Sequence, residues 1–285
     1  MRKGLMDKDK IIALLNRDLE GEHGAIIQYL TQAYAMGEGE MACEVEAISR
    51  EEMRHLDWLA ETIVELGGVP SLKRGEMRTG GEVVADWMGN DALSEKDAIN
   101  LYGKHIESIC DPKIERLLRR ILSDEEAHHS KFQHFVDKAR KEDAKDLRGV
   151  RTNRVTQTLS WSIEHEYTVI LQYLLHSYMT TNKEAKKELQ DQAINEMQHL
   201  GWLTEKMVDV SGSPRIEHTE VNQSTKTADM LQADIKIEQE VAAEYDRAAK
   251  EVEDPDLKKL LTRIRDHELY HAEVFSDLLK EEESP

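Results

Sequence analysis

Cysteine is nearly missing from this chain of 285 residues: Cys43 and Cys110 are the only two, and no Cys-x-x-Cys occurs. That excludes a four-cysteine zinc or iron centre. Two distant thiols suit a reducing compartment, and a cytoplasmic location is expected. Long apolar runs are also missing; none approaches the ~20 residues that span a bilayer. Met1-Arg2-Lys3-Gly4 leads into charged residues rather than an apolar core, so no secretory signal is expected. Prolines number 5, aromatics make up 5%, and 38 Lys+Arg are outnumbered by 57 Asp+Glu. The net charge of −19 argues against nucleic acid or an anionic membrane as partner. What is left, 33% charged residues with few breakers, is the composition of long amphipathic helices.

Apolar periodicity places a first helix from Asp7 or Asp9 through Ile11, Leu15, Leu19, Ile26 and Leu30 to Met36, broken by Gly37 and Gly39. A second runs from about Glu40 to Leu66 and stops at Gly67-Gly68 with Pro70 beyond. A long polar connection follows, about residues 68–90, containing Gly75, Gly80, Gly81 and Gly89. A third helix is expected from near Asp91 to near Cys110, and a fourth from Asp111-Pro112 to about Lys141. The charged, aperiodic stretch Glu142–Asn153 is the expected linker, after which the pattern restarts.

The restart is a repeat. Shifting the first half by 144 positions carries Glu20, Glu22, Gln28 and Tyr29 onto Glu164, Glu166, Gln172 and Tyr173, and Glu52, Met53, His55, Trp58 and Pro70 onto Glu196, Met197, His199, Trp202 and Pro214. Past the long connection a shift of 143 carries Tyr102, Asp111, Pro112, Glu125, His128 and Phe132 onto Tyr245, Asp254, Pro255, Glu268, His271 and Phe275. The expected fold is therefore all-α: two tandem four-helix bundles, domains 1–141 and 154–285 joined by 142–153. Short loops make the first and second helices antiparallel, and likewise the third and fourth. The long connection lets each bundle run up-down-down-up with a crossover between its second and third helices.

Four copies of Glu-x-x-His carry the chemistry: Glu52/His55, Glu125/His128, Glu196/His199 and Glu268/His271. Three residues apart on a helix, carboxylate and imidazole project together, a half-site for a first-row metal. A dinuclear site also needs carboxylates from the other two helices, and these are expected to bridge. The acids there are ambiguous: Glu20 or Glu22, Glu95 or Asp97. Glu22, Glu95, Glu166 and Glu238 each have a tyrosine seven residues later, Tyr29, Tyr102, Tyr173 and Tyr245, on the same face; Glu20, Asp97, Glu164 and Glu240 do not. The alternative register Glu126/His129 is rejected because Leu269 and Ala272 occupy those places in the second half. Each half then offers four carboxylates and two neutral imidazoles, a set that balances two divalent ions of iron or manganese and that zinc would also accept.

The runs Gly21-Glu22-His23-Gly24-Ala25-Ile26-Ile27-Gln28-Tyr29, Glu51-Glu52-Met53-Arg54-His55 and Asp124-Glu125-Glu126-Ala127-His128 resemble the ferritin-like superfamily, and bacterioferritins in particular, in two fused copies. The resemblance implies a ferroxidase-type di-iron oxidoreductase that oxidises ferrous iron with dioxygen or peroxide, in iron homeostasis, storage or detoxification. It implies a redox role for Tyr29 and Tyr173. It also makes Met53 and Met197 the axial ligands of a haem b, since each follows a ligand glutamate by one residue and points roughly 100° away from the metal face. A homo-oligomer is expected, and an external electron donor is compatible. The alternative within the same superfamily is a rubrerythrin-like peroxidase, or another di-iron or di-manganese oxidoreductase without a storage role.

Overall fold

The computed structural model describes residues 6–141 and 153–283. The chain divides into two compact units, Met1–Gly149 and Val150–Pro285. Most of the expected linker, residues 142–152, lies outside the described residues. The described residues of the first unit form four helices: α1 Lys8–Met36, α2 Glu40–Glu65, α3 Val84–Ser108 and α4 Pro112–Ala139. Those of the second form α5 Arg154–Met179, α6 Lys183–Asp209, α7 Thr227–Glu251 and α8 Pro255–Glu282. The all-α architecture of paired four-helix bundles is as expected, and no strand occurs among the described residues. No described helix is long and apolar enough to cross a membrane.

The helix starts follow local chemistry. In α4 and α8 an aspartate caps and a proline takes the first turn: Asp111 accepts from Lys113 N and Ile114 N, and Asp254 from Asp256 N and Leu257 N. Asn153 and Thr156 form a reciprocal capping box on α5. At the end of α1, Gly37 turns the chain at φ 71, a conformation that costs glycine little. One boundary departs from the sequence reading. Helix α3 begins at Val84, seven residues before Asp91. Gly89 does not break it: the residue sits inside the helix with nothing within 4 Å of where a Cβ would be, and the turn is made earlier, by Gly81 at φ 113.

The crossover of the first unit runs along α1 rather than through solvent. Ser71 N donates to Asn16 Oδ1 at 2.7 Å, Gly75 N to Glu20 O at 2.5 Å and Arg78 N to Gln28 Oε1 at 2.5 Å. The chain thus climbs α1 in α1's own direction, so α3 descends antiparallel to α1. The up-down-down-up order follows from those three bonds. At Gly75 the fit is tight: a Cβ would lie 2.7 Å from Glu20 O. The second unit repeats the path with different groups, Thr219 N donating to Thr168 Oγ1 at 3.0 Å and Asn222 N to Gln172 Oε1 at 2.9 Å.

Each core has an apolar layer towards one end of the bundle. Val45, Ile48, Met88, Phe132 and Phe135 pack round Tyr29 in the first unit, and Val169, Leu189, Leu231 and Phe275 round Tyr173 in the second. The ring of Phe132 sits 4.9 Å from that of Tyr29, and Phe275 5.1 Å from Tyr173. Fixing those tyrosines fixes the height at which their hydroxyls meet the polar layer above.

Candidate metal centres

Six acidic and imidazole side chains from four helices meet in the interior of the first unit: Glu22 of α1, Glu52 and His55 of α2, Glu95 of α3, and Glu125 and His128 of α4. None is more than 4% exposed. Their ligand atoms form two overlapping quartets, each within 4.8 Å: Glu22, Glu52, His55 and Glu125, and Glu52, Glu95, Glu125 and His128. The carboxylates common to both are Glu52 and Glu125. The shared position that the sequence reading gave to the α1 and α3 carboxylates is held here by those of α2 and α4. Residue spacing tells which face a glutamate is on, not how far it reaches towards the axis between two ions, and Glu22 and Glu95 stand at the two outer ends.

The atoms converge without pairing. His55 Nδ1 lies 2.7 Å from Glu52 Oε2, 3.0 Å from Glu125 Oε1 and 3.6 Å from Glu22 Oε2, yet it has no aligned hydrogen bond. His128 Nδ1 is 2.8 Å from Glu52 Oε1 and is likewise unaligned. Lone pairs crowding one point, rather than donors facing acceptors, are what a cation site needs and what a hydrogen-bonded network avoids. The other ring nitrogens are held from outside. His128 Nε2–H donates to Glu51 at 2.7 Å, and His55 Nε2–H points at Asp124 at 3.4 Å. These partners keep Nδ1 free for a metal.

Electrostatics agree. No lysine or arginine among the described residues pairs with these six side chains. Burial, then the charges of Glu52 and Glu22, push Glu125 well above the usual carboxylate range; burial, then Glu125, does the same to Glu95. Burial and the neighbouring Glu95 raise Glu52 to about 7. Burial by itself would depress the imidazoles, but carboxylate contacts win: Glu52 first among them raises His128 to about 9, and Glu125, Glu22 and Glu52 hold His55 far above its ordinary value. Such a cluster keeps protons where divalent ions would sit, and binding metal releases them.

A family model matches both halves of the chain. It is the model of the ferritin-like domain, matching residues 12–141 and again 157–284. This chain belongs to the ferritin-like family. Among curated proteins, the bacterioferritin of Desulfovibrio desulfuricans is 33% identical over 135 residues, 45% of this chain and 75% of that protein. That of Mycobacterium bovis is 32% identical over 126 residues, 41% of this chain and 78% of that protein. Among solved structures, the Desulfovibrio desulfuricans bacterioferritin, described with its di-iron site in different catalytic states, has TM-score 0.45 and 32% identity, covering 47% of this chain and 82% of that one. The Rhodobacter capsulatus bacterioferritin, solved with a metal-free dinuclear site and a haem iron, has TM-score 0.45 and 27% identity, covering 48% and 89%. The family model matches twice and each curated relative covers somewhat under half of this ferritin-like chain, as a tandem of two domains requires.

The second ferritin-like unit builds the same constellation: Glu166, Glu196, His199 and Glu268 form one quartet, and Glu196, Glu238, Glu268 and His271 the other. Glu196 and Glu268 are shared. His271 Nδ1 is 2.7 Å from Glu196 Oε1, and His199 Nδ1 is 2.7 Å from Glu196 Oε2. Burial raises Glu166 and Glu238 well above the ordinary range, helped in both by Glu268. Burial would raise Glu196 too, but His199 and His271 hold it below. Burial opposes the rise of His271, which Glu196, Glu238 and Glu268 nonetheless push up to about 12.

The tyrosines are buried on the inward face, as their spacing implies. Three of them reach across the bundle rather than back to their own helix's glutamate: Tyr29 donates to Glu95 at 2.5 Å, Tyr102 donates to Glu22, and Tyr245 to Glu166. Tyr173 Oη has no hydrogen-bond partner among the described residues. Rejected acids are elsewhere: Glu20 accepts from Ser71 Oγ at 2.5 Å, Asp97 pairs with Arg78 at 2.7 Å, Glu126 is exposed, and His129 Nδ1 bonds Ala92 O at 2.8 Å. Met53 and Met197 are half-buried, off the donor face. The outer partners Glu51, Asp124 and His267 were missed from sequence, although two of them announce themselves as acids immediately before a ligand glutamate.

A cleft of about 490 Å³ enters the first unit between α1 and α3. It is lined by Gly21, Ala25, Ala98 and Tyr102, and reaches the carboxylates of Glu22, Glu95 and Glu125.

Proposed function

We propose that both units are ferroxidase-type centres that bind ferrous iron in pairs and oxidise it with dioxygen or peroxide, the chain serving iron homeostasis, detoxification or storage. Domains 1–141 and 154–285, joined by 142–153, each carry one centre. The observation that supports this most directly is the pair of donor quartets sharing two carboxylates in each unit, with the Nδ1 atoms of His55, His128 and His271 turned to the same points without an aligned hydrogen bond. In the first unit Glu22 and His55 would hold one ion, Glu95 and His128 the other, and Glu52 and Glu125 would bridge. In the second the corresponding sets are Glu166 and His199, Glu238 and His271, with Glu196 and Glu268 between. When bound, the two ions supply the electrons that reduce the oxidant and the template that orients it. Iron is the family's metal; the same donors accept manganese or zinc.

The chain's own residues prepare that chemistry. Glu51 and Asp124 fix the imidazole tautomers. Tyr29 and Tyr102 grip the far ends of Glu95 and Glu22, orienting both carboxylates before an ion arrives. Burial, then the charge of Glu95, keeps Tyr29 firmly protonated. We assign Tyr29 and Tyr173 a redox role; Tyr29 has an acceptor for the proton that leaves with its electron, and Tyr173 has none. We further propose that Met53 and Met197, both half-buried and off the donor face, would hold a haem b, that the chain forms a cytoplasmic homo-oligomer, and that iron itself or an external donor is the reductant.

Metal analysis with an absorption spectrum tests the reading. It expects about four irons per chain from two dinuclear sets, a ferric chromophore on aeration, and a Soret band that Met53→Leu abolishes. Peroxide turnover that continues long after the bound ferrous ions are spent, with any reductant, would favour the peroxidase alternative; a small dimer on a sizing column would remove storage.

A further inference from the structure

The two centres have matching donors but unmatched walls. In the first unit the α1/α3 cleft descends to Glu22, Glu95 and Glu125 past Gly21, Ala25 and Ala98. Gly21 is exposed on α1, and a Cβ placed there would meet nothing within 4 Å. The repeat puts larger side chains at every one of these places in the second unit: His165 for Gly21, Val169 for Ala25 and Val241 for Ala98. Trp161 stands for Arg17, which lines the cleft in the first unit. Two of the newcomers are locked by ring contacts, Trp161 lying against both His165 and the buried Tyr245. The Trp161 ring meets the edge of His165 at 4.6 Å and that of Tyr245 at 5.5 Å. Tyr245 is the counterpart of Tyr102, which is a wall of the cleft in the first unit. His165 Nδ1 is shielded from solvent.

We propose that the two centres are kinetically unequal: the first exchanges hydrated divalent cations and small oxidants with solvent through the α1/α3 cleft, while the second holds its ions behind a plug made by Trp161 and His165. This rests on the reading that both centres bind metal. The first unit is then the one that turns over, and the second a slow site that fills once and keeps its ions. A path of small residues leading to buried carboxylates admits a hydrated ion without local opening; a packed indole and imidazole require such opening first, and that adds a barrier to entry and exit alike.

The test uses Co²⁺ added to the metal-free full-length chain, followed by the d–d absorption that appears as the ion exchanges water for protein ligands. Two phases of equal amplitude are expected, about two ions in each. Glu52→Ala removes the fast phase and leaves the slow one. Gly21→His slows the fast phase by about tenfold, equivalent to ~1.4 kcal/mol on its barrier, with the end point unchanged. Trp161→Arg combined with His165→Gly accelerates the slow phase until the two merge. Uptake of four ions in one phase by the unaltered chain, or two phases indifferent to both cleft substitutions, overturns the inequality while leaving metal binding intact. No uptake at either centre overturns both readings together.

Discussion

Behind the imidazoles of the first centre stand two carboxylates, Glu51 and Asp124; behind those of the second stands a neutral ring. His199 Nε2–H donates to His267 Nδ1 at 2.8 Å, and Asn195, at the place of Glu51, is occupied with Gln192. Burial, then the charges of His199 and Arg263, keeps His267 below its ordinary pKa, as an acceptor must be. A carboxylate behind a ligand imidazole makes it a stronger donor and adds negative charge to the site; a second imidazole only orients it. Identical ligand sets therefore do not make identical centres. The charge that distinguishes them lies one residue outside the set, where the repeat is free to drift.

The strongest way to break the comparison is to remove a bridge. Glu52→Ala should cost the first unit both ions, so that metal per chain falls from about four to about two, and Glu196→Ala should do the same to the second. Plasma emission analysis of each variant reads it out, and equal loss from both units in either one would end the idea of independent centres. Next, Glu51→Gln should weaken metal binding at the first centre about 10–100-fold, while Asn195→Ala leaves the second nearly unchanged; competition against a chromophoric chelator separates the two.

A third contrast concerns buried aspartates away from the metals. Asp234 is held by His176 Nδ1 at 2.9 Å and by Gln172 at 2.8 Å, whereas its counterpart Asp91 has Gln28 at 2.6 Å and no imidazole. Asp234→Asn should cost the second unit about 1.5–3 kcal/mol, the range for a hydrogen bond to a charged group. Burial lifts both aspartates above the usual carboxylate range, Asp234 against its His176 contact; Asp91 has no such imidazole. Burial raises Asp91 to about 7, against which Gln28 and Gln32 pull only partly. Since the folded value exceeds the unfolded one, its ionisation disfavours the fold. The unaltered first unit should lose stability relative to Asp91→Asn as pH climbs from about 4 to about 7, and match it below. Urea melts at several pH values check the sign. The smallest effect is expected at the crossover: Thr168→Val should cost the second unit about 1 kcal/mol by leaving Thr219 N–H unpaired, where the first unit, with Gly24 at that place, makes its bond to Glu20 O instead.

Helix count, pairing and the twelve converging side chains were legible because each depends on periodicity along one rod, and the doubled sequence let each half check the other. Tyr245, seven residues after Glu238, picked out the acid that joins the buried cluster even though its hydroxyl goes to Glu166 instead, since sharing a face was enough. What was not legible depends on distances between rods. That Glu52 and Glu125 belong to both quartets depends on their reach towards the bundle axis. The start of α3 depends on Gly89 having open space round it and no turn to make. The cleft beside Gly21 exists only because α1 and α3 lie side by side, a neighbour relation that no spacing within one helix records.

The crosswise tyrosine grip has one missing arm. Tyr29 anchors Glu95 and Tyr102 anchors Glu22, and Tyr245 anchors Glu166, but the fourth hydroxyl, on Tyr173, leaves Glu238 without an aligned hydrogen bond on either oxygen. Three of the outer carboxylates are tethered like doors on a latch. Glu238 alone lacks that tether, so on the proposed reading it would be the carboxylate that adjusts first to the size or charge of a bound ion.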